Sequence, residues 1–299
     1  MNQSDTTSSL PALGRGIDRA RAWPADRRRM VVLFHASQDE TDLPLYLISG
    51  FTEIWREDGW EVTFLFGLDT FVPAEVCIVH VDLSVVPDEY IRFARRYPVV
   101  LNDRIRDVRK SAFSRLRVGR DSACRGPVIV KTDLNYAGHP ELLATGRVRP
   151  EEVDLGALEY QIYPDLAEVP AEVFERDDYV VEKFLPEREG DLYFVRFLLV
   201  LGDRFTSRRI AAPSPIVRER MMASQRRIAP HPGILAERER LGVDYGKLDY
   251  VVHDGEAYLL DVNKTIGGGD AVTYPDREVG RRERAEGIYS YLDRLLAAR

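Results

Sequence analysis

An α/β fold, turning α+β in its second part, follows from three observations. Strand and helix signals alternate from Met30 to about Leu101, strands crowd the remainder, and 299 residues allow about two domains. A chain that is 44% hydrophobic and 30% charged is of ordinary globular composition, not disordered or fibrous.

Residues 1–29 read as a disordered tail, Ser/Thr-rich at first and holding six arginines against three aspartates. Asp5, Asp18 and Asp26 weaken a transit-peptide reading. Met30 directly precedes the first strand pattern, so an over-extended start is a further reading. The run Met30–His35 is continuously apolar up to Phe34, as a strand buried on both faces requires. Asp42–Asp58 carries Leu43, Leu47, Phe51, Ile54 and Trp55 at helical spacing. Glu61–Phe66 and Val76–Val81 read as strands, Pro87–Arg96 as a short helix and Pro98–Leu101 as a fourth strand. Neither G-x-G-x-x-G after the first strand nor a P-loop is present, so this half does not hold a nucleotide by those devices.

The second half reads as strands at Pro127–Thr132, Tyr179–Leu185, Leu192–Leu201, Arg204–Ile210, Lys247–Val252 and Ala257–Val262. Gly202-Asp203 and Asp254-Gly255 are hairpin turn signals. Pro213 to about Leu241 mixes loop and helix, and a final helix is expected from about Asp276 to Ala298.

A net charge of −7 gives no general attraction to nucleic acid or anionic lipid, and no apolar run is long enough for a membrane span. Cys77 and Cys124 cannot build a disulfide framework or a thiolate zinc site, which favours a reducing cytoplasm.

The chemistry lies in Lys247-Leu-Asp249 and Asp261-Val-Asn263, which flank the Asp254-Gly255 turn on two apolar strands. Asp261 and Asn263, two apart, share a face. A two-residue turn would pair Asp249 with Leu260 and set the aspartates on opposite faces. A three-residue loop would gather Lys247, Asp249, Asp261 and Asn263 on one face. Facing carboxylates repel unless a cation lies between them, and such oxygen ligands suit Mg²⁺ with nucleotide phosphates as further ligands. Solvated acids on an edge hairpin are the plain alternative. Gly267–Gly269 could offer N–H groups to an anion. Lys131 ends the apolar strand Pro127-Val-Ile-Val-Lys, where either a phosphate would pair it or it is a strand-end lysine whose head snorkels to solvent. Tyr179–Leu185 runs into Pro186, with acids beyond.

These three stretches, in this order, resemble the ATP-grasp superfamily. The likeness spans about residues 30–299 and implies a pre-ATP-grasp open α/β domain over 30–105, then a two-lobed ATP-grasp domain over 106–299. By resemblance, Lys131 binds the nucleotide phosphates, with Lys110 as the family's earlier lysine. Glu182 and the backbone of Lys183 and Leu185 would meet the adenine, and Glu189 the ribose. Asp249, Asp261 and Asn263 would be the magnesium ligands. Lys247 and Arg196 would act on the reacting phosphate. Three departures stand out: Lys110 and Lys131 are only 21 residues apart, the loop Thr132–Gly138 has one glycine, and Asp261 replaces the usual glutamate.

The resemblance implies an ATP- and Mg²⁺-dependent ligase that joins a carboxylate to an amine through an acyl phosphate; a homodimer is a separate expectation. A kinase of the same fold acting on a polyol or sugar, and a non-catalytic nucleotide-binding protein, are the alternatives. His35, closing the first strand, is a candidate for the acceptor site. Arg208, Arg209, Arg218 and Arg220 either hold an acidic substrate or form a solvated surface.

Overall fold

The computed structural model describes residues 26, 28–146, 160–218, 221–268 and 277–297. Nearly all of the N-terminal tail lies outside them. The apolar run becomes β1, Arg29–Phe34, with Met30 to Phe34 buried. β2, Glu61–Phe66, pairs on one side of it and β3, Val76–Val79, on the other, with β4, Val99–Leu101, beyond; all are parallel. The order β2-β1-β3-β4 reverses between β1 and β3, which opens a crevice at their carboxyl ends.

The helix expected over Asp42–Asp58 forms in two pieces. Asp39 caps a 3-10 turn at Glu40–Leu45 that contains Pro44, and α1 follows at Leu47–Glu57. Proline has no N–H to donate and disfavours the α conformation before it, so the first turn cannot join the second. The α1 stripe of Ile48, Phe51, Ile54 and Trp55 is buried against the sheet. α2, Asp88–Ala94, starts after Pro87 and covers the other face.

Asn102 follows β4 and turns the chain in a left-handed conformation, φ 64°. Then come α3, Lys110–Phe113, and β5, Val128–Thr132, followed by α4, His139–Ala144. β5 is the centre of an antiparallel three-stranded sheet, flanked by β6, Gln161–Tyr163, and β7, Tyr179–Lys183.

The larger antiparallel sheet has the order β11-β10-β9-β12-β13, with β8 also pairing β9. Its strands are β8, Glu187–Glu189; β9, Leu192–Leu201; β10, Arg204–Ala212; β11, Ser224–Ile228; β12, Tyr245–His253; and β13, Glu256–Asn263. β6, β8 and β11 are not marked by sequence pattern. They are short pieces recruited by stronger neighbours, and β11 reads Ser-Gln-Arg-Arg-Ile with no apolar alternation. α5, Pro232–Leu241, is capped by His231 and packs Ile234 against Leu198, Leu248 and Val262.

The single C-terminal helix expected from Asp276 is divided into α6, Arg277–Ala285, a 3-10 turn at Glu286–Ile288, and α7, Tyr289–Ala297. The break lies where Gly287 passes the Leu201 carbonyl so closely that any side chain would collide with it. Ala285, Ile288, Tyr289 and Leu292 complete the core around Met30, Phe34 and Trp55, and the Trp55 indole donates to the Ala285 carbonyl. The last helices therefore return to the first sheet.

Candidate nucleotide and metal site

Asp249 and Asp261 lie directly opposite each other on β12 and β13, and Lys247 opposes Asn263. The route to this pairing differs from both hairpin readings. His253 pairs with Glu256, so the connection is the two-residue turn, with Asp254 at φ 49° and Gly255 at φ 79°. That turn pairs Tyr250 with Leu259, and a β-bulge then shifts the register so that Leu260 is the extra residue. The bulge restores the parity that the turn alone would have lost. It also leaves the Leu260 carbonyl accepting from Lys131 Nζ at 3.5 Å.

Three lysines converge here, each beside a carboxylate. Lys131 Nζ is 2.7 Å from Glu182 Oε2, Lys247 Nζ 3.1 Å from Asp249 Oδ1, and Lys110 Nζ 3.4 Å from Asp261 Oδ1. The side chain of Lys110 is only 2% exposed and reaches Asp261 despite the short spacing to Lys131, although it is not among the residues lining an adjoining cavity. Burial works against its charge, but Asp261, Tyr160 and Glu182 outweigh it and hold the amine above its ordinary value.

Beside these groups is a cavity of about 330 Å³, lined by Lys131, Lys247, Asp249 and Asp261 at one part and by Ile129, Phe184, Val195 and Ile210 among its apolar residues. Lys183 and Leu185 line it too. The Phe184 N–H donates inward to the Pro127 carbonyl, and the Lys183 N–H donates to Leu116. Backbone groups alternate along an extended chain, so the Lys183 carbonyl and the Leu185 N–H follow on the edge away from β5.

Other expected residues lie elsewhere. Glu182 is fully buried and bound to Lys131, and it does not line the cavity where it was expected to meet adenine. Glu189, expected at a ribose, instead accepts from Arg209 at 2.6 Å and is outside the lining. Arg196 pairs with Tyr250, one residue from Asp249, and therefore points to the opposite face of the sheet. There it grips Glu187 through two nitrogens at 2.8–2.9 Å, which corrects the expectation that it reaches the phosphates. Burial raises the Glu187 carboxyl, yet hydrogen bonds from Arg196 and the Val252 N–H, with the charges of Arg196 and Arg209, bring it below its ordinary value.

Asn263 Oδ1 accepts from the Thr265 N–H at 2.9 Å, and the side chain is not in the lining. The Gly268 N–H is committed to the Leu45 carbonyl at 2.6 Å, so it is not offered to an anion; Gly269 lies outside the described residues. Arg208 and Arg209 are buried, neither solvated nor lining the cavity, while Arg220 lies outside the described residues. His35 bonds Ser37 at the end of β1.

The one-glycine loop is held to the first half of the chain: the Asn135 N–H donates to Ser84 Oγ at 2.7 Å, and the Ser84 N–H to the Glu141 carboxylate at 2.6 Å. Tyr136, Ala137 and Gly138 are successively left-handed, at φ 47°, 55° and 76°. Sequence reasoning missed Tyr160, which lines the cavity from an irregular segment and belongs to no periodic pattern, whereas Arg218, one of the four arginines named from the sequence, does line it. It also missed Lys264, fully buried beside Asn263 and donating to the Leu83 carbonyl; burial pushes its amine down to about 8. A lysine after the metal motif was the available signal.

The residues fit a magnesium ion. Asp261 Oδ1 is buried without a hydrogen bond and faces Asp249 on hard oxygen donors. Among the described residues no group of three or more His, Cys, Asp or Glu gathers as a metal cluster. The remaining ligands would therefore come from Asn263, water and phosphate oxygens.

No family model matches the sequence, and no curated protein matches it. Solved structures do match its fold. The D-alanine–D-alanine ligase of Bacillus anthracis aligns over 90% of this chain and 98% of its own, at 14% identity and a TM-score of 0.50. A RimK domain ATP-grasp protein from Sphaerobacter thermophilus aligns over 87% and 97%, at 16% identity and a TM-score of 0.44. The D-cycloserine synthetase DcsG aligns over 87% and 99%, at 10% identity and a TM-score of 0.45.

Proposed function

We propose that this chain, whose fold is the ATP-grasp fold, is an ATP-dependent ligase that joins a carboxylate to an amine. The observation that carries this reading is the pairing of Asp249 with Asp261 among Lys110, Lys131 and Lys247, beside a largely apolar cavity lined in part by Lys183, Phe184 and Leu185.

A purine would lie among the apolar lining residues Ile129 and Val195, with its edge meeting the Lys183 carbonyl and the Leu185 N–H. Phosphates leading from it come to Lys131, Lys247 and Arg218, whose charges are fixed before the reaction begins. Asp249, Asp261 and Asn263 would hold magnesium, which supplies neutralising charge to phosphate oxygens. An oxygen of the substrate carboxylate attacks the γ-phosphorus as the β–γ bridging bond breaks, giving an acyl phosphate and ADP. The amine nitrogen then attacks the acyl carbon, phosphate leaves, and the amine loses its proton to solvent. No nucleophilic side chain is required, and the lysines serve by holding charge and position.

The test is phosphate release with Mg-ATP over a panel of acids and amines. The expected outcome is ADP and free phosphate in step with amide. Asp249→Asn and Asp261→Asn should each abolish turnover in a folded protein; turnover kept in both overturns the metal assignment. Phosphate retained on the product would instead identify a kinase.

A further inference from the structure

We infer that Lys110 and Lys247 are built-in counter-cations for the two aspartates that would hold magnesium, so that a divalent cation enters when a polyphosphate draws these lysines away. The inference rests on the nucleotide-binding reading above and adds an order and a coupling to it.

Both aspartates are already occupied by the chain's own positive charge. Lys247 Nζ is 3.1 Å from Asp249 Oδ1, and Lys110 Nζ is 3.4 Å from Asp261 Oδ1. The Lys110 side chain is almost wholly buried, and a buried ammonium needs an anion at hand. Asp261 supplies one, but poorly: its Oδ1 makes no hydrogen bond, and 3.4 Å is long for a charge-assisted contact. A contact of that kind offsets the carboxylate's charge without satisfying its oxygen. Lys131 is different, because its 2.7 Å partner is Glu182, which stands outside the aspartate pair.

Lys110, Lys131 and Lys247 offset Asp249, Asp261 and Glu182 one for one, and Arg218 in the cavity lining adds a further positive charge. A divalent cation added to this set would leave excess positive charge in a poorly solvated place. A polyphosphate alone would leave excess negative charge. The two together nearly cancel, with the lysines moving to phosphate oxygens and the aspartates to the metal. Each ligand then strengthens the other, and the coupling is reciprocal.

The experiment uses Mn²⁺ as the probe, with free Mn²⁺ read by electron paramagnetic resonance, and ADP so that nothing turns over. The wild-type chain should bind Mn²⁺ weakly alone and tightly with ADP. Lys110→Met and Lys247→Met should each bind Mn²⁺ alone at least about fivefold tighter than wild type. Lys131→Met should change by less, because its lysine neutralises Glu182. Unchanged Mn²⁺ affinity in the first two variants overturns the inference, as does an equal gain in all three, which would reflect overall charge. Should Lys110→Met not fold, the partly exposed Lys247→Met decides the matter on its own. A wild-type chain that binds no Mn²⁺ even with ADP overturns the metal assignment itself, which is a separate result.

Discussion

Lys131 on β5 and Glu182 on β7 form an ion pair of 2.7 Å with side chains 7% and 0% exposed. Ile129 pairs with Glu182 across the ladder, so Lys131, two residues on, shares its face. Removing one partner leaves an uncompensated buried charge, at a cost of about 3–5 kcal/mol. Lys131→Met should lose about that much stability to urea unfolding, and Lys131→Met/Glu182→Leu should recover most of it. The double variant should still not bind nucleotide. A pair that stabilises only the fold would give a double variant with normal binding.

The hinge backbone gives a second prediction. Leu185→Pro removes the N–H that would meet the base, without touching the Phe184 and Lys183 donors that hold the hinge to Pro127 and Leu116. Calorimetric titration with ADP should show affinity falling about tenfold, the scale of one hydrogen bond. Unchanged affinity would place the base elsewhere.

Asn102 ties the two halves of the chain together. Its Oδ1 accepts from the Asp244 and Tyr245 N–H groups at 3.0 Å, its Nδ2 donates to the Tyr245 carbonyl at 2.8 Å, and its own N–H donates to Asp244. Tyr291 adds a hydrogen bond to the same Asp244 at 2.6 Å. Asn102→Ala leaves these buried groups unpaired at a left-handed position that alanine disfavours. Unfolding free energy should drop by about 2–4 kcal/mol. Asn102→Gly, relieved of the backbone cost, should lose less than Asn102→Ala.

His80 supplies the pH dependence. It is fully buried among Phe34, Tyr46 and Tyr245, neither ring nitrogen has a hydrogen-bond partner, and burial pushes its pKa down to about 3. Below about pH 6.5 the unfolded chain takes up a proton that the folded chain refuses, so stability falls with acidity down to about pH 3. The loss should be about 2 kcal/mol at pH 5 relative to pH 7. His80→Phe should flatten that slope in paired urea titrations, and a slope unchanged by the substitution would remove His80 as its source.

The elements that the sequence marks well are those with strong local periodicity. The all-apolar run of β1 and the stripe of α1 are cases where burial alone selects the residue type. The interrupted C-terminal helix was not legible, because its break depends on Gly287 meeting the Leu201 carbonyl. β11 was missed for a related reason: its pairing with β10 comes from β10's ladder and not from its own residues.

The site divides along the same line. By itself the sequence determined the kinds of groups: two aspartates and an asparagine at strand spacing, and lysines at the ends of apolar runs. Chemistry follows from residue type, so a hard-cation, polyphosphate site could be read there. Only the tertiary structure decided which groups meet. The turn by itself would have put Asp249 and Asp261 on opposite faces, and the bulge at Leu260 brings them together. Arg196 falls on the wrong face by one residue of parity, and Lys110 reaches Asp261 from α3, on a distant stretch of chain. Facing and contact depend on register and on which buried charges neutralise one another. Those are properties of paired strands and packed layers, and no local pattern encodes them.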